Sequence, residues 1–514
     1  MKLSAYMKTF ALLVLCAATA IASSAQTFGT LVRFNNINGA APYDTLTQGI
    51  DGDLYGTTVS GDPGTGTYCP GFSGSCGTVF KITSGGALIT LYGFDNNGDG
   101  YAPFAGLTLT TDGNFYGTTS YGGYHGQMYG TVFKITPLGA LTTLYLFCSQ
   151  TIVALEPADC AYAPYGSLVQ GIDGDFYGTT LWGGPPTGGN GTVFKITPQG
   201  VLIGLHAFLA GNPADGIQPY AGLAQGADGD FYGSTTEDGV NGGGTIFRIT
   251  STGKLTTIFS FDGTDGAQPE AALVLANDGN FYGTTYDGGS RVCKTFYGVG
   301  CGTIFRITPS GKLTTLYAFC SQPEKPDLAF TDGYNPAGLI QGTDGNFYGT
   351  TYGGGDYACY GYTAGCGTVF KMTPAGALTT LHRFHGPDGS NPTAGLVQAT
   401  SGIFYGTTLA GNAMSDGYYP CQYGCGTIYR LDMGLVPFVG FVRPFGKPGQ
   451  TGGVLGQGFT GTTSVMLNGV PAKFKVVSDT YLTATVPPGA TTGYVTVTTP
   501  TGVLTSNVPF HVIR

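Results

Sequence analysis

Residues 278–285 read DGNFYGTT, and near-copies begin at Asp51 (DGDLYGTT), Asp112, Asp173, Asp228, Asp344 and Ser401 (SGIFYGTT), at a period of 50 to 66 residues. Self-similarity at a fixed period of this size marks a repeat architecture. Each copy leads into GTVFKIT or a variant, beginning at Gly77, Gly130, Gly191, Gly244, Gly302, Gly367 and Gly426, and six copies continue into a segment resembling GKLTTLYAF. Five residues ahead of each copy stands a Leu (Leu46, Leu107, Leu168, Leu223, Leu273, Leu339, Leu396). A unit thus reads as four short strands, rich in β-branched and aromatic residues and bounded by Gly, Asp and Pro. Asp-Gly between the first two strands signals a hairpin, here expected to be type I′ with both central residues at positive φ.

Four strands per unit at this period predict an all-β fold, a β-propeller. The ends of the array set the count. Unit seven has no LTTLYAF segment after Gly426, whereas GTLVRF at 29–34, ahead of unit one, has no unit of its own. A seven-bladed propeller closed by this N-terminal strand accounts for both, and closure leaves only short edges exposed. The expected organisation is a signal peptide over 1–25, a propeller over 26–434 and a small immunoglobulin-like β-sandwich over 435–514.

Composition narrows the function. Gly makes up 90 of 514 residues and charged residues 10%, against roughly 7% and 25% in ordinary globular chains. The net charge is −9 and no Lys/Arg run occurs, so nucleic acid is not an expected partner. Lys2 and Lys8 precede an apolar stretch from Phe10 to Ala22 ending in small residues up to Ala25, the layout of a secretory signal peptide. No later apolar run reaches the length of a membrane span. Location outside the cell follows, secreted or on the cell surface, as a monomer.

Loop lengths separate two sides of the propeller. The turns between strands one and two and between three and four are short. From Asp-Gly (Ser-Gly in unit seven) to GTxF the distance is 26, 18, 18, 16, 24, 23 and 25 residues along the chain. The four longest of these loops hold the pairs Cys69/Cys76, Cys293/Cys301, Cys359/Cys366 and Cys421/Cys425, which are read as one disulfide clip per long loop in an oxidising compartment. Cys148 and Cys160 would clip the connection into unit three, leaving Cys320 odd.

Chemistry is sparse. There are five His residues, with no HExxH, GxSxG or phosphate-binding motif. His382 and His385 are expected on opposite faces of a strand. Glu237 and Asp238 in the unit-four loop are the best acid/base candidates. Asp95, Asn97 and Asp99 match half of a calcium loop that lacks its final Glu. No cofactor is expected. The richest pattern is aromatic: Tyr68, Tyr124, Trp182, Tyr297, Tyr357, Tyr360, Tyr418 and Tyr419, with Tyr286 and others, stand in the variable loops among Gly, Ser and Asn. Such a surface suits an extracellular glycan or protein ligand. The alternatives are a polysaccharide-acting enzyme and a purely structural envelope component.

The DGNFYGTT, GTVFKITPSG and LTTLYAF segments resemble the GloVer tandem-repeat family of secreted bacterial proteins over about residues 28–432. That resemblance implies an extracellular location and a repeat architecture, not an activity. The segment from about 435 to 514, through NGVPA, SDTYLTATVP and GATTG, resembles the TIG immunoglobulin-like domain. This resemblance implies an accessory or spacer module without catalytic residues of its own.

Overall fold

The computed structural model describes residues 26–61, 69, 76–123, 129–148, 161–184, 189–209, 212, 214–289, 300–320, 330–355, 365–411 and 424–513. Among them every regular element is a strand, and no helix is long and apolar enough to cross a membrane.

The repeats form propeller-like blades. In unit five, Val274–Leu275, Phe281–Thr285, Thr303–Ile307 and Leu313–Ala318 pair antiparallel in chain order. Five further four-stranded sheets of the described residues repeat this order. In the sheet of the last unit, Thr27–Arg33 fills the fourth place, paired with Thr427–Asp432 from Thr27↔Asp432 to Arg33↔Thr427. Sheets of the first and last units share a core that includes Val32, Phe34, Leu46, Leu54, Phe80, Tyr405 and Ile428.

The repeated FYG triplet has a packing reason. The Tyr of one unit stacks on the Phe of the next, as in Tyr177 on Phe231 at 3.9 Å and Tyr282 on Phe347 at 4.1 Å. The strand carrying both residues is buried throughout. The Gly leaves room beneath the third-strand Phe: a Cβ on Gly283 would lie 2.6 Å from Phe305 Cζ and 2.9 Å from Leu273 Cδ2. The Tyr hydroxyl donates back to the turn carboxylate, Tyr232 to Asp228 at 2.8 Å and Tyr348 to Asp344 at 2.9 Å. The third-strand cation completes the group, with Lys371 Nζ 2.8 Å from Asp344.

Four expectations change. The Asp-Gly turn is not type I′: Gly52 has φ +87° while Asp51 is not left-handed. Gly49 N donates to Asp53 O, and Gly52 N to Gly49 O, so the loop is one residue longer and needs a single left-handed glycine. Cys301 pairs with Cys320 rather than Cys293, and Cys320 is not odd. The cause is register: Thr303 faces Ala318 in the ladder, which places Cys301 opposite Cys320 two residues further out. His382 and His385 do not diverge. The strand ends at Arg383, and beyond it the chain turns so that both imidazoles reach Asp388 Oδ2, at 2.7 and 2.9 Å.

Cys69 and Cys76 are joined, and Cys366 and Cys425 are also disulfide-bonded. Cys148 Sγ lies 3.6 Å from Ala161 O, while Cys160, Cys293, Cys359 and Cys421 fall outside the described residues.

Past Leu435, two four-stranded sheets pack over one core of Val454, Phe459, Val465, Leu482, Val497 and neighbours. This unit rests on the short Asp-Gly turns. Thr480 Oγ1 donates to Ile50 O at 2.7 Å, Tyr481 to Thr111 O at 2.8 Å and Arg443 to Gly171 O at 2.8 Å. Asn277 Nδ2 donates to Asn507 O at 3.0 Å. It therefore covers the short-turn side of the sheet assembly.

Candidate functional site

Each first strand is entered through an X-Pro step with X in the left-handed region: Ala41, Ala102, Ala163, Gln218, Gln268, Asn335 and Asn391 have φ between 50° and 59°. That conformation is disfavoured for a non-glycine residue. It is held by a hydrogen bond from X to the preceding unit, Ala102 N to Cys76 O and Asn335 N to Cys301 O, with Ala41 N donating to Cys425 O of the last unit. The kink aims the residue after each Pro at a common space: Tyr43, Phe104, Tyr165, Tyr220, Glu270, Ala337 and Thr393.

That space is a well of about 820 Å³ lined by residues of all seven repeats. The repeated Leu residues Leu168, Leu223, Leu273, Leu339 and Leu396 line it, and Tyr286 and Leu409, which follow the second strands, with Tyr352 near the end of its own, place its mouth on the variable-loop side. A second cavity of about 290 Å³ shares Leu168 and Val169 with the well and is walled by Val442, Arg443, Pro444 and Phe445. The C-terminal unit thus closes the opposite end.

Units one to four give the well an aromatic wall. Ring centroids are 5.0 Å apart for Tyr43 and Phe104, 4.6 Å for Phe104 and Tyr165, and 5.1 Å for Tyr165 and Tyr220. The hydroxyls of Tyr43 and Tyr220 meet at 2.8 Å and close the circuit. Burial pushes the Tyr43 phenol up to about 12 and raises Tyr165 and Tyr220 as well, so the hydroxyls remain neutral donors and acceptors.

Units five to seven face this wall with Glu270, Ala337 and Thr393. Glu270 is half-buried in the lining and forms no hydrogen bond with the described residues. Burial, with the Asp287 carboxylate as a second cause, raises its carboxyl to about 7. Among the described residues no Lys, Arg or His lines the well.

One consequence concerns stability. The Glu270 carboxyl titrates higher folded than unfolded, so the native chain holds the extra proton and stability falls as pH rises from about 4.5 to about 7. The loss is on the order of 2 kcal/mol once solvent access through the mouth is allowed for. Thermal melts at pH 5 and pH 8 should show this fall in the native chain and a smaller one in Glu270→Gln. Equal falls in the two proteins would contradict it.

Of the candidate site residues singled out from sequence, those that are described do not line the well, Tyr286 excepted. Trp182 is half-buried beside Tyr162, in the loop after Phe176–Thr180, and is not part of the well lining. Tyr68, Tyr124, Tyr297, Tyr357, Tyr360, Tyr418 and Tyr419 fall outside the described residues. Glu237 and Asp238 are exposed, also away from the well. Asp95 and Asp99 are engaged locally: Asp95 accepts from Asn97 N at 2.9 Å, and Asp99 accepts from Tyr92 Oη at 3.0 Å and Asp95 N at 3.2 Å. Among the described residues no three of His, Cys, Asp and Glu converge as metal ligands. Sequence reading passed over Tyr43, Tyr165, Tyr220 and Glu270. The signal was present, since the residue after the repeated Pro varies among Tyr, Phe, Glu, Ala and Thr inside an otherwise repeated segment.

Comparison with known proteins agrees with the repeat reading. The Gloeobacter/Verrucomicrobia repeat model matches residues 17–160 and 149–359. No curated protein matches the chain. A solved fungal alcohol oxidase of the AA5 family, in complex with copper, is similar at a TM-score of 0.51 and 14% identity, covering 95% of this chain and 99% of that one. A luciferin-regenerating enzyme is similar at a TM-score of 0.38 and 12% identity, covering 80% and 97%. A candidate 6-phosphogluconolactonase from Bacteroides fragilis is similar at 0.42 and 16%, covering 69% and 88%. At these identities only the first likeness bears on the chain, and it bears on the fold alone.

Proposed function

This chain belongs to the Gloeobacter/Verrucomicrobia repeat family, and from that premise we propose that it is a secreted, non-catalytic binding protein that takes an extracellular saccharide into its central well. In this reading residues 26–434 are a seven-bladed propeller closed by Thr27–Arg33, residues 1–25 are a signal peptide, and residues 435–514 are a TIG-like module seated on the short-turn side. The reading rests chiefly on the aromatic wall. Flat apolar rings with hydroxyl tips suit the alternating C–H and O–H surfaces of a sugar, and a volume near 820 Å³ is typical of a pocket that buries most of a small ligand. The disulfides Cys69–Cys76 and Cys301–Cys320 fit an oxidising compartment.

A panel of polysaccharides and oligosaccharides tests it, with released reducing ends assayed in the same wells. Saturable binding without new ends is expected. Tyr220→Ala removes a ring and the partner of the Tyr43 hydroxyl and should weaken binding about tenfold or more. The competing reading, a hydrolase or lyase, would use Glu270 as its acid, because a carboxyl raised to about 7 can donate a proton at neutral pH. Released ends that vanish in Glu270→Gln would favour that reading. Silence across the panel would favour a protein partner or a structural role.

A further inference from the structure

Among the described residues Glu270 has no counter-charge: it lines the well, half-buried, without a hydrogen bond to them, and no described Lys, Arg or His stands in the lining. The titratable groups around it are the phenols of Tyr43, Tyr220, Tyr286 and Tyr352 and the carboxylates of Asp44 and Asp287. None can be positive. Asp44 is already engaged by Ser167 Oγ and Gly106 N, both at 2.6 Å, and Asp287 accepts from Asn335 Nδ2 at 3.3 Å. A carboxyl in such a place is either neutral or in need of a cation. The wall opposite carries electron-rich ring faces, which attract cations when water is excluded. The side chains that units six and seven place beside Glu270, Ala337 and Thr393, are small.

We propose that the well selects saccharides bearing a free, protonated amine, with Glu270 as the counter-ion and the Tyr43, Tyr165 and Tyr220 rings as the wall against which the ammonium-bearing sugar lies. The assignment rests on the saccharide-binding reading above and names its ligand class. Uronic-acid polymers are excluded by the same negative lining. Only the carboxylate form pairs with an ammonium, so affinity for an amino sugar rises as pH increases through about 7, for as long as the amine keeps its proton. Affinity for a neutral sugar has no such rise.

The test is titration calorimetry of the mature chain with a glucosamine tetramer, its fully N-acetylated counterpart, a galacturonic acid tetramer and tetralysine. The glucosamine tetramer is expected to bind about tenfold or more tightly than the acetylated one, with affinity higher at pH 6.5 than at pH 5, a range over which the amines largely keep their protons while Glu270 gains its charge. Glu270→Gln should erase that preference. The pH dependence of the native chain stands on its own should the variant fold poorly. Equal binding of both tetramers, unchanged in Glu270→Gln and flat with pH, would overturn the amine assignment and leave the saccharide well intact. Binding of tetralysine with no saccharide bound would overturn both.

Discussion

A chain beginning at residue 36 is expected to lose cooperative folding of the repeat array. The strand it lacks, Thr27–Arg33, supplies the whole edge paired with Thr427–Asp432. Phe28 stacks on His382 at 3.6 Å and on Tyr429 at 5.3 Å, and Val32 and Phe34 are buried in the core shared by the first and last units. Losing two buried side chains, a stacked ring and a ladder costs on the order of 6 kcal/mol or more. Native domains have only about 5–15 kcal/mol to lose. Size-exclusion chromatography and a thermal melt would check it, and aggregation or a broad, non-cooperative transition is expected. A truncated chain that melts sharply within a few degrees of the native one would show that the array does not depend on this strand.

Cys320→Ser should lower stability by about 3 kcal/mol, the chain-entropy value for a disulfide closing a loop of this length. The bond spans 19 residues, and both sulfurs are fully buried. The variant also leaves Cys301 as a thiol facing a hydroxyl in a site shaped for a disulfide. The predicted observation is a lower melting temperature for Cys320→Ser than for the native chain without reductant. Cys293→Ser should leave the Cys301–Cys320 bond in place by mass spectrometry of the unreduced protein. A Cys293–Cys301 peptide in the native digest would contradict the pairing.

The fold was legible because its determinants are local and repeated seven times. Asp-Gly turns, the FYG triplet and the GTxF start each serve one physical demand, and the missing fourth strand of the last unit pointed to the unassigned segment at 29–34. The disulfide error came from reading Cys spacing along the chain. Antiparallel register brings Cys301 and Cys320 together although they are 19 residues apart, and hairpin arithmetic on GTIFRIT and LTTLYAF would have found the pair.

The site was less legible for a different reason. Variation is conspicuous in the long loops, whereas the well draws on one variable position that recurs once per unit after a Pro. Nothing in one unit shows that Tyr43, Tyr220 and Glu270 point at one another. Only the assembly of the sheets does. Glu270 is one of four Glu residues in the sequence, and its lack of a hydrogen-bond partner among the described residues is a property of the three-dimensional lining.

The most direct measurement is a crystal structure of the mature chain soaked with the tightest-binding oligosaccharide from the panel. The account predicts sugar density inside the well, stacked on Tyr43 or Tyr220, with its most basic group nearest Glu270. Density on the outer loops around Trp182 or against the C-terminal unit, with the well empty, would contradict it.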